Sequence, residues 1–371
     1  MSDALPLSST DTTLARRFAV VTATPGSVSL GSGTRVATRV LVEGLQAAGH
    51  HVTLLAPDRG SHRWLPRFAF NWALSPKDVA GADLVLGLDM DGFRLAGRTP
   101  APFVAYLHGV IADEARFERG AVRLSMQLQA AAEAGSARRA TRVLATSEYS
   151  RRRIVELYGV HPERVRVAPP LFDADAWLAA LEQARPSARR AEAPTVLCVA
   201  RWYPRKNLQA LVEAAAPLAR RVPGVQIRVI GDGPERSRLR ASVERLGVGH
   251  IVRLVGYVPF ERLCIEYLSS CAFCLPSLQE GYGLVYAEAM CAERPVVALR
   301  ASSTPELIDH GVTGVLAEPG DPAGLVDALA KVLLDPELAA RLGAAGRARA
   351  VTLTRPRTVD RFLETISDLL A

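Results

Sequence analysis

Cysteine is scarce in this chain, with five residues in 371. That is too few for a disulfide framework at this length, and reduced thiols in the cytoplasm are the expectation. Cys271 and Cys274 form a CxxC, but they stand in the apolar run SSCAFCLPS with no second Cys or His pair. A metal or redox centre is therefore not expected there. No stretch reaches the ~18 uninterrupted apolar residues that a membrane-crossing helix needs. The opening MSDALPLSSTDTTLA lacks both a basic start and a long apolar run, so residues 1–15 read as a short disordered tail and not a signal peptide. Gly 28 and Pro 24 are near average usage, which excludes collagen-like and low-complexity architectures.

What is present is a folding composition. Hydrophobic residues make up 49% and charged residues 22%, and the length fits two domains. The net charge of +7 is unevenly placed: residues 1–190 hold 24 Lys+Arg against 18 Asp+Glu, and residues 191–371 hold 21 against 20. A basic N-terminal half favours an anionic partner, or is simply an arginine-rich solvated surface. No nucleic-acid module motif accompanies it, so no nucleic-acid partner is expected.

Each half repeats one pattern. RFAVVTAT (17–24) is an apolar, β-branched run followed by a Gly-rich loop and an amphipathic stretch that closes at Gly49. HVTLLAPD (51–58), ADLVLGLD (82–89), APFVAYLHG (101–109), TRVLATS (141–147) and ERVRVAPP (163–170) read as further strands, with helices over 114–139 and 147–159. Residues 182–194, EQARPSARRAEAP, lose all apolar period and read as a linker between an N-terminal domain (16–181) and a C-terminal domain (195–354). The second half starts again with TVLCVAR (195–201) and continues through VQIRVIG, IVRLVGYV, CAFCLPS and RPVVAL, separated by helices. Strands alternating with helices imply an α/β fold: two Rossmann-like parallel-sheet domains facing a central cleft, with ligands at the carboxyl ends of the strands.

The strongest chemical signal is Glu280-Gly-Tyr-Gly-Leu-Val-Tyr-Ala-Glu288. Gly281 and Gly283 let backbone approach a ligand, and the helix that follows offers free N–H groups and a positive dipole end. Carboxylates accept hydrogen bonds from hydroxyls. A phosphate site flanked by hydroxyl acceptors suits a nucleotide sugar, with diphosphate on the helix end and ribose and hexose on the two glutamates. Arg201-Trp-Tyr-Pro-Arg-Lys206-Asn207 closes the strand TVLCVA, where two cations would neutralise a leaving diphosphate; otherwise it is an exposed basic turn capped by Asn207. Gly231-Asp232-Gly233-Pro234-Glu235 reads mainly as a turn and helix start. His108 ends the strand PFVAYL before Gly109, where such folds expose working residues.

Taken together, EGYGLVYAE, the R-x4-K of Arg201 and Lys206, GDGPE, the early GSG, the strand-end His-Gly and SEYSRRRI resemble the retaining glycosyltransferases of family 4, with the GT-B fold. The resemblance covers roughly residues 18–371. It implies metal-independent, front-face transfer of a hexose from a UDP- or GDP-sugar to a hydroxyl of a glycan, lipid or small molecule, with no cofactor and no metal. By the same resemblance Arg201 and Lys206 hold the diphosphate, Glu280 contacts the hexose, Gly283 and Leu284 give N–H to phosphate, and Glu288 holds the ribose. Gly31, Ser32 and Gly33 would lie against the phosphates or acceptor, and His108 at the reacting sugar. One departure is that the family often carries Gly-Gly before the later Pro-Glu, where this chain has Ser302-Ser303-Thr304-Pro305-Glu306; that loop is expected to pack differently and outside the site. The C-terminal stretch 355–371 is expected to return to the N-terminal domain.

Three alternatives explain less. A dinucleotide-dependent enzyme would use Gly31-x-Gly33, but the turn is too long and Val36 stands at the third glycine position. An epimerase or phosphorylase of the same fold, and a non-catalytic nucleotide-sugar-binding module, remain distinguishable by turnover. The acceptor side is legible only as RGSHRWLPRFAFNWALSPK (59–77), which fits a peripheral contact with the inner face of the membrane, a loop over an acceptor pocket, or plain core packing.

Overall fold

The computed structural model describes residues 15–24, 33–57, 64–168, 171–189 and 191–371. Its N-terminal half runs β1 (Arg17–Val21), α1 (Gly33–Ala47), β2 (His51–Leu55), α2 (Trp64–Ala73), β3 (Leu84–Leu88), β4 (Phe103–Leu107), α3 (Ile111–Glu114), α4 (Gly120–Arg139), β5 (Arg142–Ala145), α5 (Glu148–Tyr158) and β6 (Val165–Val167). The second half runs α6 (Ala174–Ala184), β7 (Thr195–Val199), α7 (Leu208–Arg221), β8 (Gln226–Ile230), α8 (Arg236–Arg245), β9 (Val252–Gly256), α9 (Phe260–Ser269), β10 (Ala272–Leu275), α10 (Leu284–Cys291), β11 (Val296–Leu299), α11 (Thr304–Leu307), β12 (Gly314–Ala317), α12 (Pro322–Leu334) and α13 (Pro336–Ala350). The last helix is α14 (Arg355–Glu364).

Two parallel six-stranded sheets result, ordered β2-β1-β3-β4-β5-β6 and β12-β11-β10-β7-β8-β9. Helices cover both faces, which is why LVLGL, FVAYL, AFCL and VVAL are buried at every position and do not alternate. In the first sheet the order reverses between β1 and β3, and in the second between β7 and β10. Those switch points are where loops diverge and a crevice opens at the strand ends.

Four details differ from the sequence-based expectation. The expected linker 182–194 starts too late. Helix α6 already belongs to the C-terminal core through Ala174, Trp177 and Leu181, so the chain leaves the first half before Ala174. Trp177 fixes this, packing edge-on against Phe260 and Tyr267. The helix expected over 114–139 is broken at Gly120, whose φ of +54° separates it from the short turns before it. Residues 64–73 of the aromatic segment are helical, and the short strand β12 was not read at all. Residues 1–14 lie outside the described residues. Among the described residues no helix is long and apolar enough to cross a membrane.

Helix α14 packs on α1 and completes the N-terminal core with Val359 and Phe362, followed by Ile366. Arg142 of β5 clamps the segment after it, donating Nη1 to Thr365 O at 2.8 Å and Nη2 to Asp368 at 2.7 Å. Phe362→Ala is expected to lower the stability of the N-terminal half by about 3–5 kcal/mol, the cost of an emptied aromatic site. The denaturant midpoint of the first unfolding transition measures this; a wild-type midpoint would mean α14 is not part of that core.

Candidate active site

The C-terminal half of the site straddles its switch point. The loop after β7 carries Arg201 to Asn207, and the loop after β10 carries Ser277 to Gly283. They are tied by Leu278 N–H donating to Arg205 O at 2.9 Å. Asn207 adopts a left-handed φ of +53°, ending the turn Pro204–Lys206 and starting α7. Lys206 is thereby turned inward. Its Nζ lies 2.5 Å from Glu280 Oε1, with the two side chains only 12% and 7% exposed. An exposed basic turn is thus ruled out. Ser277 Oγ donates to the same oxygen at 2.7 Å. Burial alone would raise the Glu280 pKa, but the charges on Lys206 and Arg205 outweigh it and hold the carboxyl below its ordinary value. Burial holds the Lys206 ammonium below its ordinary pKa, with Glu280 opposing.

Gly283 opens α10 at a φ of +93°, and a Cβ there would sit 2.5 Å from the Tyr286 ring. Only glycine leaves that helix end clear. The first N–H groups of α10 have no carbonyl a turn back to bond, so they form an anion-binding end. Glu288 lies four residues past Leu284, about 6 Å further along the axis. Its Oε2 accepts from Tyr267 OH at 2.8 Å. Burial pushes the Glu288 carboxyl up to about 7, against the hydrogen bond from Tyr267. Arg201 stacks over Tyr203 at 5.9 Å and makes no ion pair among the described residues.

Gly231-Asp232-Gly233 buttresses this floor. Trp202 N–H donates to Asp232 O at 3.0 Å, and a Cβ on Gly233 would meet the Trp202 backbone at 2.6 Å. That is the turn role expected of it. The loop Ser302–Glu306 does not stand outside the site. Ser302 Oγ accepts the Glu280 N–H at 2.9 Å, and Ser303 Oγ donates to the Glu280 carbonyl at 3.1 Å. The serines standing where the family often has glycines therefore fix the backbone of Glu280.

The N-terminal half meets this loop directly. A Cβ on Gly281 would fall 2.1 Å from His108 O, and Gly281 O accepts from Thr146 Oγ1 at 3.0 Å. His108 is thus brought against the glutamate loop. Its N–H donates to Asp89 Oδ1 at 2.9 Å, while Nδ1 lies 3.4 Å from the same oxygen without an aligned hydrogen bond. Two further contacts join the halves. Arg205 reaches Glu114 at 3.3 Å, and Glu306 accepts the N–H groups of Glu148 and Tyr149, both at 2.8 Å. Gly31 and Ser32 lie outside the described residues; Gly33 is the first residue of α1. The sequence reading missed Asp89, Arg205, Tyr267, Ser277, Ser302 and Ser303. Only Asp89 had a signal, as the strand-terminal acid of ADLVLGLD. Cys271 and Cys274 are free thiols, and among the described residues no group of three or more His, Cys, Asp or Glu is placed to hold a metal ion.

Two facing parallel-sheet domains, with a helix-end anion site and a buried Lys–Glu pair at the switch point, define the GT-B class of architecture. The chain belongs to the family 4 glycosyltransferases. Residues 31–176 match the family model "Glycosyltransferase Family 4", and residues 181–349 match "Glycosyl transferases group 1". The GDP-mannose-dependent alpha-(1-6)-phosphatidylinositol monomannoside mannosyltransferase of Mycobacterium tuberculosis is 32% identical over 211 residues, 54% of this chain and 54% of that protein. The D-inositol 3-phosphate glycosyltransferase of Nocardia farcinica is 34% identical over 247 residues, 62% of this chain and 53% of that one. The match thus spans about half the length of these curated relatives. Sucrose-phosphate synthase from Thermosynechococcus elongatus has the same fold, with a TM-score of 0.80 over 96% of this chain and 99% of that chain at 22% identity. HepE of Anabaena, solved with UDP, gives 0.71 over 96% and 100% at 20% identity.

Because the Glu288 pKa is raised from 4.5, its stabilising contribution is complete below 4.5 and is lost as pH rises through about 7. Above that the buried charge costs on the order of 1–3 kcal/mol. Glu288→Gln is expected to raise Tm at pH 8 and change it little at pH 5. An equal shift at both pH values would contradict this.

Proposed function

We propose that the protein transfers a hexose from a nucleotide-sugar donor to an acceptor hydroxyl with retention of anomeric configuration, by a metal-independent front-face displacement. The observation that carries this reading is the Lys206–Glu280 pair beside the clear N-terminus of α10. In the proposed complex the diphosphate sits on the N–H groups of Gly283 and Leu284, within reach of Arg201 and Lys206. Arg201 brings an uncommitted charge. Lys206 brings three donors, one already used on Glu280. Glu280 accepts from hexose hydroxyls and Glu288 from the ribose. No carboxylic acid or nucleophile is required, because the leaving diphosphate is stabilised by fixed cations and the helix end, and one of its oxygens takes the acceptor's proton. His108 stands beside the reacting carbon.

A relative named for GDP-mannose makes GDP-mannose the first donor to test, with UDP-sugars second. Each would be screened by thermal shift and then assayed for transfer, the product anomer being read by NMR. Lys206→Met is expected to lower kcat about 100- to 1000-fold, in line with the loss of one transition-state charge contact. Glu288→Ala is expected to weaken nucleotide-sugar binding about tenfold by calorimetry, the order of a lost hydrogen-bonded contact. Absence of transfer from every nucleotide sugar, or inversion at the anomeric carbon, would sink the reading.

We further propose that the acceptor is met at the cytoplasmic face of a membrane, without nucleic acid. Helix α2 supports this, because its outer surface is apolar: Leu65 is 62% and Trp72 61% exposed, with Arg94 over the Trp72 ring at 4.5 Å. Val122, Leu124 and Leu128 of α4 are exposed as well. Of the four cations in 59–77, Arg67 turns inward and cannot meet a headgroup. Anionic vesicles at low salt should co-sediment the protein, and Leu65→Ser with Trp72→Ser should abolish this. Equal recovery of both proteins in the pellet would exclude α2 as the contact.

A further inference from the structure

We infer that Arg67 is a positioning residue for the transfer, setting through Asp91 and Asp89 how His108 is presented to the cleft. The inference rests on the proposed place of His108 at the reacting sugar. Asp91 is 1% exposed and accepts from four donors. These are the Ala23 N–H at 2.7 Å, Arg67 Nε at 2.9 Å and Nη2 at 3.1 Å, and Asn71 Nδ2 at 2.9 Å. Asn71 Oδ1 in turn accepts the Gly92 N–H at 2.6 Å. One buried carboxylate therefore ties the end of β1, the inner face of α2 and the loop after β3 together at the N-terminal switch point.

Asp89 stands two residues before Asp91, in a left-handed conformation with φ +54°. Its Oδ1 holds the His108 N–H, and its Oδ2 lies 3.9 Å from Arg67 Nη2. One guanidinium thus faces both carboxylates. Without it the two acids repel each other. Asp89 then loses the charge that holds its second oxygen away from the His108 ring, whose Nδ1 has no other partner. A lysine would supply the charge but not the planar fork that fixes both directions.

The choice of residues argues against a purely structural role. Arg67 and Asn71 stand four apart on one helix face, so α2 buries its polar side and exposes Leu65 and Trp72. Buried ion pairs are seldom the most stable way to pack a helix, and a registry role is their best-attested use. Here the register being set is that of the strand ends around His108.

The test measures kcat, donor KM and nucleotide affinity for Arg67→Lys, Arg67→Met, His108→Ala and the Arg67→Lys/His108→Ala double variant of the full chain. A displacement of about 1 Å at a reacting group costs up to ~100-fold. Arg67→Lys should lower kcat about tenfold and Arg67→Met about 100-fold, with donor KM and nucleotide affinity within about twofold of wild type. The double variant should be no slower than His108→Ala alone, since Arg67 acts through that ring. Multiplying losses, wild-type turnover by Arg67→Lys, or failure of Arg67→Lys to fold would each overturn the inference while leaving the glycosyl-transfer reading intact. A wild-type rate for His108→Ala would overturn both the inference and the placing of His108.

Discussion

An ammonium and a carboxylate held 2.5 Å apart under the cleft fix the two loops that meet at the C-terminal switch point. Neither Lys206 nor Glu280 tolerates that depth alone, because an unpaired buried charge costs several kcal/mol. The pair exists only if the loop after β7 and the loop after β10 stand side by side, as adjacent strands at the switch point require. Ser277, Ser302 and Ser303 then leave Glu280 little freedom in either side chain or backbone. The basic partner is also chosen against the run of the composition, since the chain has three lysines and 42 arginines. A guanidinium would commit its fork to Glu280. An ammonium bonds Glu280 with one proton and keeps two for an incoming anion.

The charges along this floor are graded. Arg201 makes no ion pair among the described residues, Lys206 is matched by Glu280 and Arg205 by Glu114, while Glu288, raised by burial to about 7, is only partly ionised at pH 7. Positive potential is therefore concentrated at the clear end of α10 and fades toward Glu288. A ligand with a diphosphate at one end and hydroxyls at the other matches that gradient. A uniformly charged ligand does not. The price of the gradient is a carboxyl at Glu288 that destabilises the empty protein above pH 7, a strain that hydroxyl donors relieve on binding.

The two parallel-sheet domains and the glycine-framed acidic loop before α10 are readable from the chain because both follow from local rules. Continuous apolar runs such as FVAYL and AFCL mark doubly covered parallel strands, and a glycine-framed acid before a helix marks an anion-binding end. What was not readable depends on long-range placement. Asp91 is an ordinary acid in sequence, and only folding brings Ala23, Arg67 and Asn71 onto it. Ser302 and Ser303 looked like a loss of the family's glycines, yet Ser302 takes a left-handed φ of +50° and supplies a hydroxyl as well. The domain boundary was misjudged for a related reason. The apolar period of α6, Ala174, Trp177, Leu178 and Leu181, marks a helix but not the core it serves, and that is decided by Trp177 finding Phe260 and Tyr267 in the C-terminal half.

The candidate site belongs to neither half alone. His108 is carried by the first sheet and Glu280 by the second, and they adjoin only because Gly281 presents no side chain to the His108 carbonyl. Around that point the contacts are charge-assisted and polar: Thr146 to Gly281, Arg205 to Glu114, and Glu306 at the first N–H groups of α5. A carboxylate at a helix N-terminus is favoured by about 0.3–1 kcal/mol near the surface, so the Glu306 contact is individually weak. The link through α14 is different in kind, being apolar and buried among Val359, Phe362 and Ile366. The halves are therefore joined by a buried apolar contact at the end of the chain and by polar contacts at the cleft, and together these hold His108 against the glutamate loop.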